Sequence, residues 1–149
     1  MIVFDNHLHL QFHGENVNAV RRFEKFGGTH INLCNVPNYS YSMDESYYRR
    51  IYDDTLKLAE MVRRETNVKV LVTIGPYPVD MLELLKRGMN VEEARTFLIR
   101  GLEIAAEYIS NDFAHAIGEI GRPHFEVSRE IWEASNEVIV EGMKIAKSL

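Results

Sequence analysis

Hydrophobic and polar residues change period several times along this chain, dividing it into short apolar runs that alternate with helical stretches. Met1-Ile2-Val3-Phe4 opens it and leads into Asp5-Asn6-His7-Leu8-His9. Asn16 to Phe26 places Val17, Val20, Phe23 and Phe26 at helical spacing, and Gly27-Gly28 stops it. A second apolar run, His30 to Val36, ends at Pro37. After a loop rich in Asn, Tyr and Ser, Ser42-Met43-Asp44-Glu45 has the form of a capping box. The helix it predicts carries Tyr48, Ile51, Tyr52, Thr55, Leu58, Ala59 and Val62 on one face.

Val68 to Ile74 is the clearest strand, β-branched and mostly apolar, closed by Gly75-Pro76. Two helical segments follow, Val79 to Arg87 and Val91 to Ser110. The fourth apolar run, Ala114 to Ile120, ends at Gly121 and Pro123. A last helix starts near Ser128, with Ile131, Ser135, Val138, Ile139, Gly142, Ile145, Ala146 and Leu149 inward. Strands and helices thus alternate four times, which predicts an α/β fold with a parallel sheet. Two architectures fit: a small doubly wound sheet and part of a (β/α)₈ barrel. Periodicity does not separate them.

Composition narrows the class. The chain has 149 residues, enough for one core. It is 46% hydrophobic and 26% charged, an ordinary globular balance. The net charge of −5 comes from interspersed charges, and no basic stripe suggests wholesale nucleic-acid binding. A bound metal would supply local positive charge to such an acidic chain. One cysteine, Cys34, excludes an internal disulfide and fits a reducing compartment. No signal peptide and no membrane span is expected, so a cytoplasmic protein is.

The candidate chemistry gathers where strands end. On a strand, residues i and i+2 share a face, so His7 and His9 can reach one cation from one side. Imidazole suits zinc, manganese and iron. As a motif His-x-His is weak, and two half-exposed polar residues are the plain alternative. Its place closing the first strand favours a site, because parallel α/β folds put their active face there. Glu119 closes the fourth run in Gly118-Glu119-Ile120-Gly121. A carboxylate among apolar neighbours needs a cation, a base or water, and the flanking glycines suggest close approach to the backbone. Arg122, His124, Tyr77, Asn35 and Asn38 also follow strands and could line a pocket. His13 reads as a loop residue, His30 and His115 as structural residues at strand starts, and Cys34 as a small buried hydrophobe. No Gly-x-Gly-x-x-Gly, Walker loop, Cys-x-x-Cys or Gly-x-Ser-x-Gly is present, which removes support for dinucleotide, P-loop, thiol-redox and serine-hydrolase chemistry.

Taken together, Phe4-Asp5-Asn6-His7-Leu8-His9-Leu10 resembles the first-strand signature of the amidohydrolase (urease) superfamily. Ile117-Gly118-Glu119-Ile120-Gly121 resembles the fourth-strand signature of its TatD-like branch of metal-dependent hydrolases. Ile117 to His124, followed by Trp132-Glu133-Ala134-Ser135-Asn136, looks most like the archaeal TatD-related subgroup. The resemblance runs the length of the chain. It implies a (β/α)₈ TIM-barrel type fold with one or two divalent metal ions (zinc, manganese, iron or magnesium) at the carboxyl face. It implies that His7 and His9 ligate a metal and that Glu119 ligates or bridges. The family's other ligands follow strands five, six and eight, which lie beyond four βα units. Where the family usually has Gly-x-His-Pro after strand three, this chain reads Gly75-Pro76-Tyr77-Pro78. That departure puts phosphodiester specificity in question more than metal binding.

A full barrel takes about 250 residues, so 149 residues read as the N-terminal half of a metal-dependent hydrolase barrel. Half a barrel leaves open strand edges, and the expectation is that a C-terminal half or a second copy of the chain covers them. The expected activity is hydrolysis by a metal-activated water, on a small-molecule or nucleic-acid substrate, as in a TatD-like nuclease or phosphodiesterase. Two alternatives stand beside it: a non-catalytic α/β module that binds a ligand or partner, and an inactive fragment of the hydrolase.

Overall fold

A computed structural model of the chain describes residues 1–149. The four apolar runs become four strands: β1 (Phe4–Leu8), β2 (His30–Cys34), β3 (Lys69–Ile74) and β4 (Ala116–Ile117). They form one sheet in the order β1-β2-β3-β4, and every pair is parallel. Five helices connect and follow them: α1 (Val17–Lys25), α2 (Tyr47–Glu65), α3 (Asp80–Lys86), α4 (Val91–Ser110) and α5 (Arg129–Ser148). Strand order equals sequence order, so each crossover steps the same way. Right-handed crossovers that never reverse put all their helices on one side of the sheet. This is a singly wound sheet, and it lacks the reversal of strand order that defines the doubly wound alternative.

Burial follows from that winding. Ile31 and Leu33 of β2, and Val70, Val72 and Ile74 of β3, are buried against the helices. On the opposite face Phe4 and Leu71 remain exposed at 46% and 39%. Asn32 and Thr73 share that face, joined by a 2.8 Å hydrogen bond from the threonine hydroxyl to Asn32 Oδ1. The outer edges of β1 and β4 have no strand partner.

The helical core matches the apolar spacing. All seven residues expected on one face of α2, from Tyr48 to Val62, are buried. Tyr47 joins them, and the Tyr52 hydroxyl donates to the Gly101 carbonyl of α4 at 3.0 Å. Gly101 is required at that crossing, because a Cβ would sit 2.6 Å from the Tyr48 ring.

Several boundaries differ from the sequence reading, each for a local reason. The capping box lies elsewhere. Ser42 caps nothing; Asp44 instead accepts from the Ser46 amide and hydroxyl in a tight turn, and α2 starts at Tyr47. The true capping box is Asn90 with Glu93, at the start of α4. Phe26 is not on the buried face of α1; it falls at the helix end and is 85% exposed. On α5, Ala134 is buried, whereas Ala146 and Leu149 are exposed in the last turn. The fourth strand is the shortest: only Ala116–Ile117 of the run Ala114 to Ile120 pairs as strand. It has a neighbour on one side only, and after it the chain turns along the end of β3. The peptide between Gly118 and Glu119 is cis.

Candidate metal centre

His7 and His9 owe their position to an irregularity in β1. Phe4 pairs with His30 and Asp5 with Ile31, but the next register partner of Leu33 is Leu8. Three steps on β1 therefore oppose two on β2, the signature of a β-bulge. A shift of one residue exchanges the faces of every side chain beyond it. Before the bulge, Phe4 stands with His30 on the open face, their rings edge to face at 6.3 Å. After it, Leu8 stands with Leu33 and packs on the helix-side core. His7 and His9, flanking Leu8, consequently emerge on the open face. In an unbroken strand, His7 would have pointed into the helices.

The site closes across the sheet. His7 Nε2 and His9 Nε2 are 3.1 Å apart. Glu119 Oε1 is in ion-pair contact with His7 Nε2 and lies 3.4 Å from His9 Nε2. These three are the group of His, Cys, Asp and Glu side chains close enough to hold one metal ion. Glu119 is partly buried, and both histidines are exposed on the solvent side. Donors about 2.0–2.2 Å from a tetrahedral ion lie about 3.3–3.5 Å from one another. The His7–His9 and His9–Glu119 spacings fall near that range, and His7 and Glu119 are in closer direct contact, so the residues fit a single first-row divalent cation once those two part to admit it.

His9 is also oriented. Its Nδ1 lies 3.2 Å from the Cys34 carbonyl oxygen, which only accepts. Nδ1 therefore carries the proton, and the Nε2 lone pair is left facing the cluster. Cys34 supplies its carbonyl, not its sulfur. Its thiol is buried, and desolvation, reinforced by the nearby Glu119 and Asp5 carboxylates, pushes it up to about 11. It stays protonated at neutral pH, as the reading of a small buried hydrophobe requires.

Glycines bring the Glu119 loop onto β3. A Cβ on Gly75 would meet the Gly118 backbone at 3.0 Å, and one on Gly118 would meet Thr73 Cγ2 at 2.9 Å. A Cβ on Gly121 would touch Pro78 at 3.4 Å. The close approach expected at Gly118 and Gly121 is thus made by the neighbouring strand and its loop. Asn35 fixes the same region: its amide donates to the Gly75 carbonyl and accepts from the Gly75 amide, at 3.1 and 2.8 Å. It ties β2 to β3.

The other candidates divide by location. Tyr77, Arg122 and His124 lie in the loops after β3 and β4, at the same end of the sheet as the three-residue cluster, but none belongs to it. Tyr77 makes its contacts through its backbone to Asp80. Arg122 lies with its guanidinium 4.2 Å over the Trp132 ring, and His124 packs edge-on against Phe125. Asn38 shapes its own turn through Ser40. His13, in the loop after β1, lines a separate cavity of about 200 Å³ with Leu10, Asn38 and Asp54. His30 bonds Thr29 at the far end of β2, and His115 accepts the Val72 amide on β3. Both are structural.

Sequence reasoning passed over Asp80, a 1%-exposed carboxylate at the start of α3. It accepts from the Tyr39 and Tyr48 hydroxyls and the Tyr77 amide. An acid in the first turn of a helix ordinarily looks like a dipole partner, so only the tyrosines around it could have given it away.

Matched against family models, residues 4–149 correspond to the TatD-related DNases. The chain belongs to that family. An uncharacterised protein of Methanocaldococcus jannaschii is 32% identical over 150 residues. The match takes in 99% of this chain and 51% of that relative, so the chain spans about half the length of the curated relative it matches. Membership in the TatD-related DNase family accords with a parallel α/β fold that brings His7, His9 and Glu119 together. No helix is long and apolar enough to cross a membrane.

Proposed function

We propose that this chain forms the metal-holding, N-terminal part of a metal-dependent hydrolase that acts on phosphodiesters. The observation that carries the proposal is the convergence of two imidazoles and a carboxylate, from opposite edges of the sheet, at metal-ligand spacing. A divalent ion bound there would lower the pKa of a coordinated water and polarise the scissile group. His9 holds its Nε2 lone pair toward the cluster through its bond to the Cys34 carbonyl. Glu119 adds the negative charge that favours a cation, and the glycine contacts at residues 75 and 118 hold its loop against β3. Two histidines and one carboxylate suit zinc, manganese or iron; magnesium fits if further oxygens complete the site.

The family's DNase description supports a nucleic-acid phosphodiester over an amide or ester; Tyr77, Arg122 and His124, in the loops after β3 and β4, would be its contacts. The unpartnered edges of β1 and β4, and the exposed Phe4 and Leu71 between them, support further strands closing the sheet into a barrel. Those strands, from a C-terminal half or a second copy of the chain, would bring the remaining ligands and the general base.

The test is metal content. Elemental analysis after dialysis should find about one zinc, manganese or iron per chain, and the His7→Ala/His9→Ala double variant should lose it. Equal metal in both proteins would refute the assignment. A non-catalytic ligand-binding module is the rival reading, and retention of metal without phosphodiesterase activity in the closed barrel would favour it.

A further inference from the structure

The loop after β4 holds a feature that the metal site does not use. Every arginine except Arg63 and Arg122 is paired with a carboxylate. Arg63 is engaged by the Val70 carbonyl. Arg122 is exposed, and its one hydrogen bond runs from Nη1 to Asn136 Oδ1 at 3.1 Å. Its guanidinium carbon lies over the indole of Trp132, 4.2 Å from the ring centroid. Stacking and the asparagine fix the position of this cation while leaving Nη2 and Nε free of protein partners.

Arg122, His124, Phe125, Glu126 and Trp132 line a cleft of about 690 Å³. Arg122 is three residues from Glu119, so the chain holds the two Cα atoms within about 11 Å. From this placement we infer that Arg122, mounted on Trp132, binds a phosphate group adjacent to the one at the metal site. The planar fork of a guanidinium matches two phosphate oxygens. His124 on the same loop offers a second donor, and the exposed ring of Phe125 can stack on a base. Glu126 is the one acid in the cleft and opposes the binding. The inference rests on the phosphodiester reading for its role, but its test does not pass through the metal.

Trp132 is the only tryptophan in the chain, so its fluorescence reports this cleft alone. The experiment titrates the full chain, in chelator, with inorganic phosphate, a short single-stranded oligonucleotide, and unphosphorylated thymidine. A saturable, salt-sensitive change is expected with the first two and none with thymidine. Arg122→Gln should weaken it about tenfold or more, Arg122→Lys less, and Glu126→Gln should tighten it. Circular dichroism checks that each variant is folded, and ³¹P line broadening gives a second measure of binding. Tighter binding of the oligonucleotide than of phosphate identifies a nucleic-acid strand as the source of the anion; equal binding identifies a free phosphate. Thymidine producing the same change, or Arg122→Gln binding phosphate as the parent does, overturns the inference. The His7→Ala/His9→Ala variant should titrate normally, so failure of the metal assignment and failure of this one are separable.

Discussion

Replacing Asp80 by asparagine should make the protein's stability less dependent on pH. Asp80 is 1% exposed. Its Oδ1 accepts from Tyr39 at 2.8 Å, and its Oδ2 from Tyr48 and the Tyr77 amide, both at 3.0 Å. Burial pushes the carboxyl up from 3.8 to about 6, against the opposing pull of those three donors. The folded state therefore binds the Asp80 proton more tightly than the unfolded chain does. The stabilisation is fully present below about pH 4 and is lost as pH rises through about 6. A shift of roughly two units corresponds to about 3 kcal/mol. Asparagine keeps an acceptor for Tyr48 and the Tyr77 amide, its NH₂ can donate to the Tyr39 oxygen, and it carries no charge to desolvate. Urea unfolding of both proteins by far-ultraviolet dichroism, at intervals from pH 4 to pH 7.5, isolates this group, because the other titrations cancel in the difference. Because the unfolded carboxyl is already about half ionised at pH 4, the stability of Asp80→Asn relative to the parent should rise by about 2 kcal/mol across that interval. A difference that does not change with pH would refute the argument.

Two further outcomes follow from the site's supports. Gly75→Ala puts a Cβ 3.0 Å from the Gly118 backbone, so it should destabilise the chain by about 1–3 kcal/mol and weaken metal binding, read by denaturation and metal titration. Cys34 should resist thiol reagents at neutral pH, because it is 3% exposed and its thiol is pushed up to about 11; labelling should become fast only in denaturant, and rapid labelling of the folded chain would contradict its placement.

Most of the helical side was legible in the sequence because the helices obey one period throughout. The face of α2 from Tyr48 to Val62 is buried as its spacing requires, and β3 needs only its alternation and the glycine that ends it. The three cluster residues were legible as residue types at strand ends. The bulge was not. Its extra residue lies among Asp5, Asn6 and His7 without glycine or proline to announce it, and only pairing with β2 reveals it. The length of β4 was hidden for a similar reason: an apolar run records burial, and Ile120 is partly buried by packing near Gly142 of α5 instead of by strand pairing. The roles of Asn35 and Asp80 were hidden because their partners are 40 and 41 residues away along the chain, at Gly75 and Tyr39.

The bulge in β1 also decides which changes this stretch of chain can absorb over time. A substitution at Leu8 alters how well the strand packs, and the site survives in place. Loss of Asn6 would put His7 opposite Asn32 and keep Leu8 opposite Leu33, so the straightened strand would still present both imidazoles on the open face; straightening without the loss of a residue would turn them toward the helices. Here the reading frame of side chains matters more than their identity. A lineage could drift widely in sequence along this strand, and even lose the extra residue, and still keep its chemistry, provided that Leu8 stayed opposite Leu33.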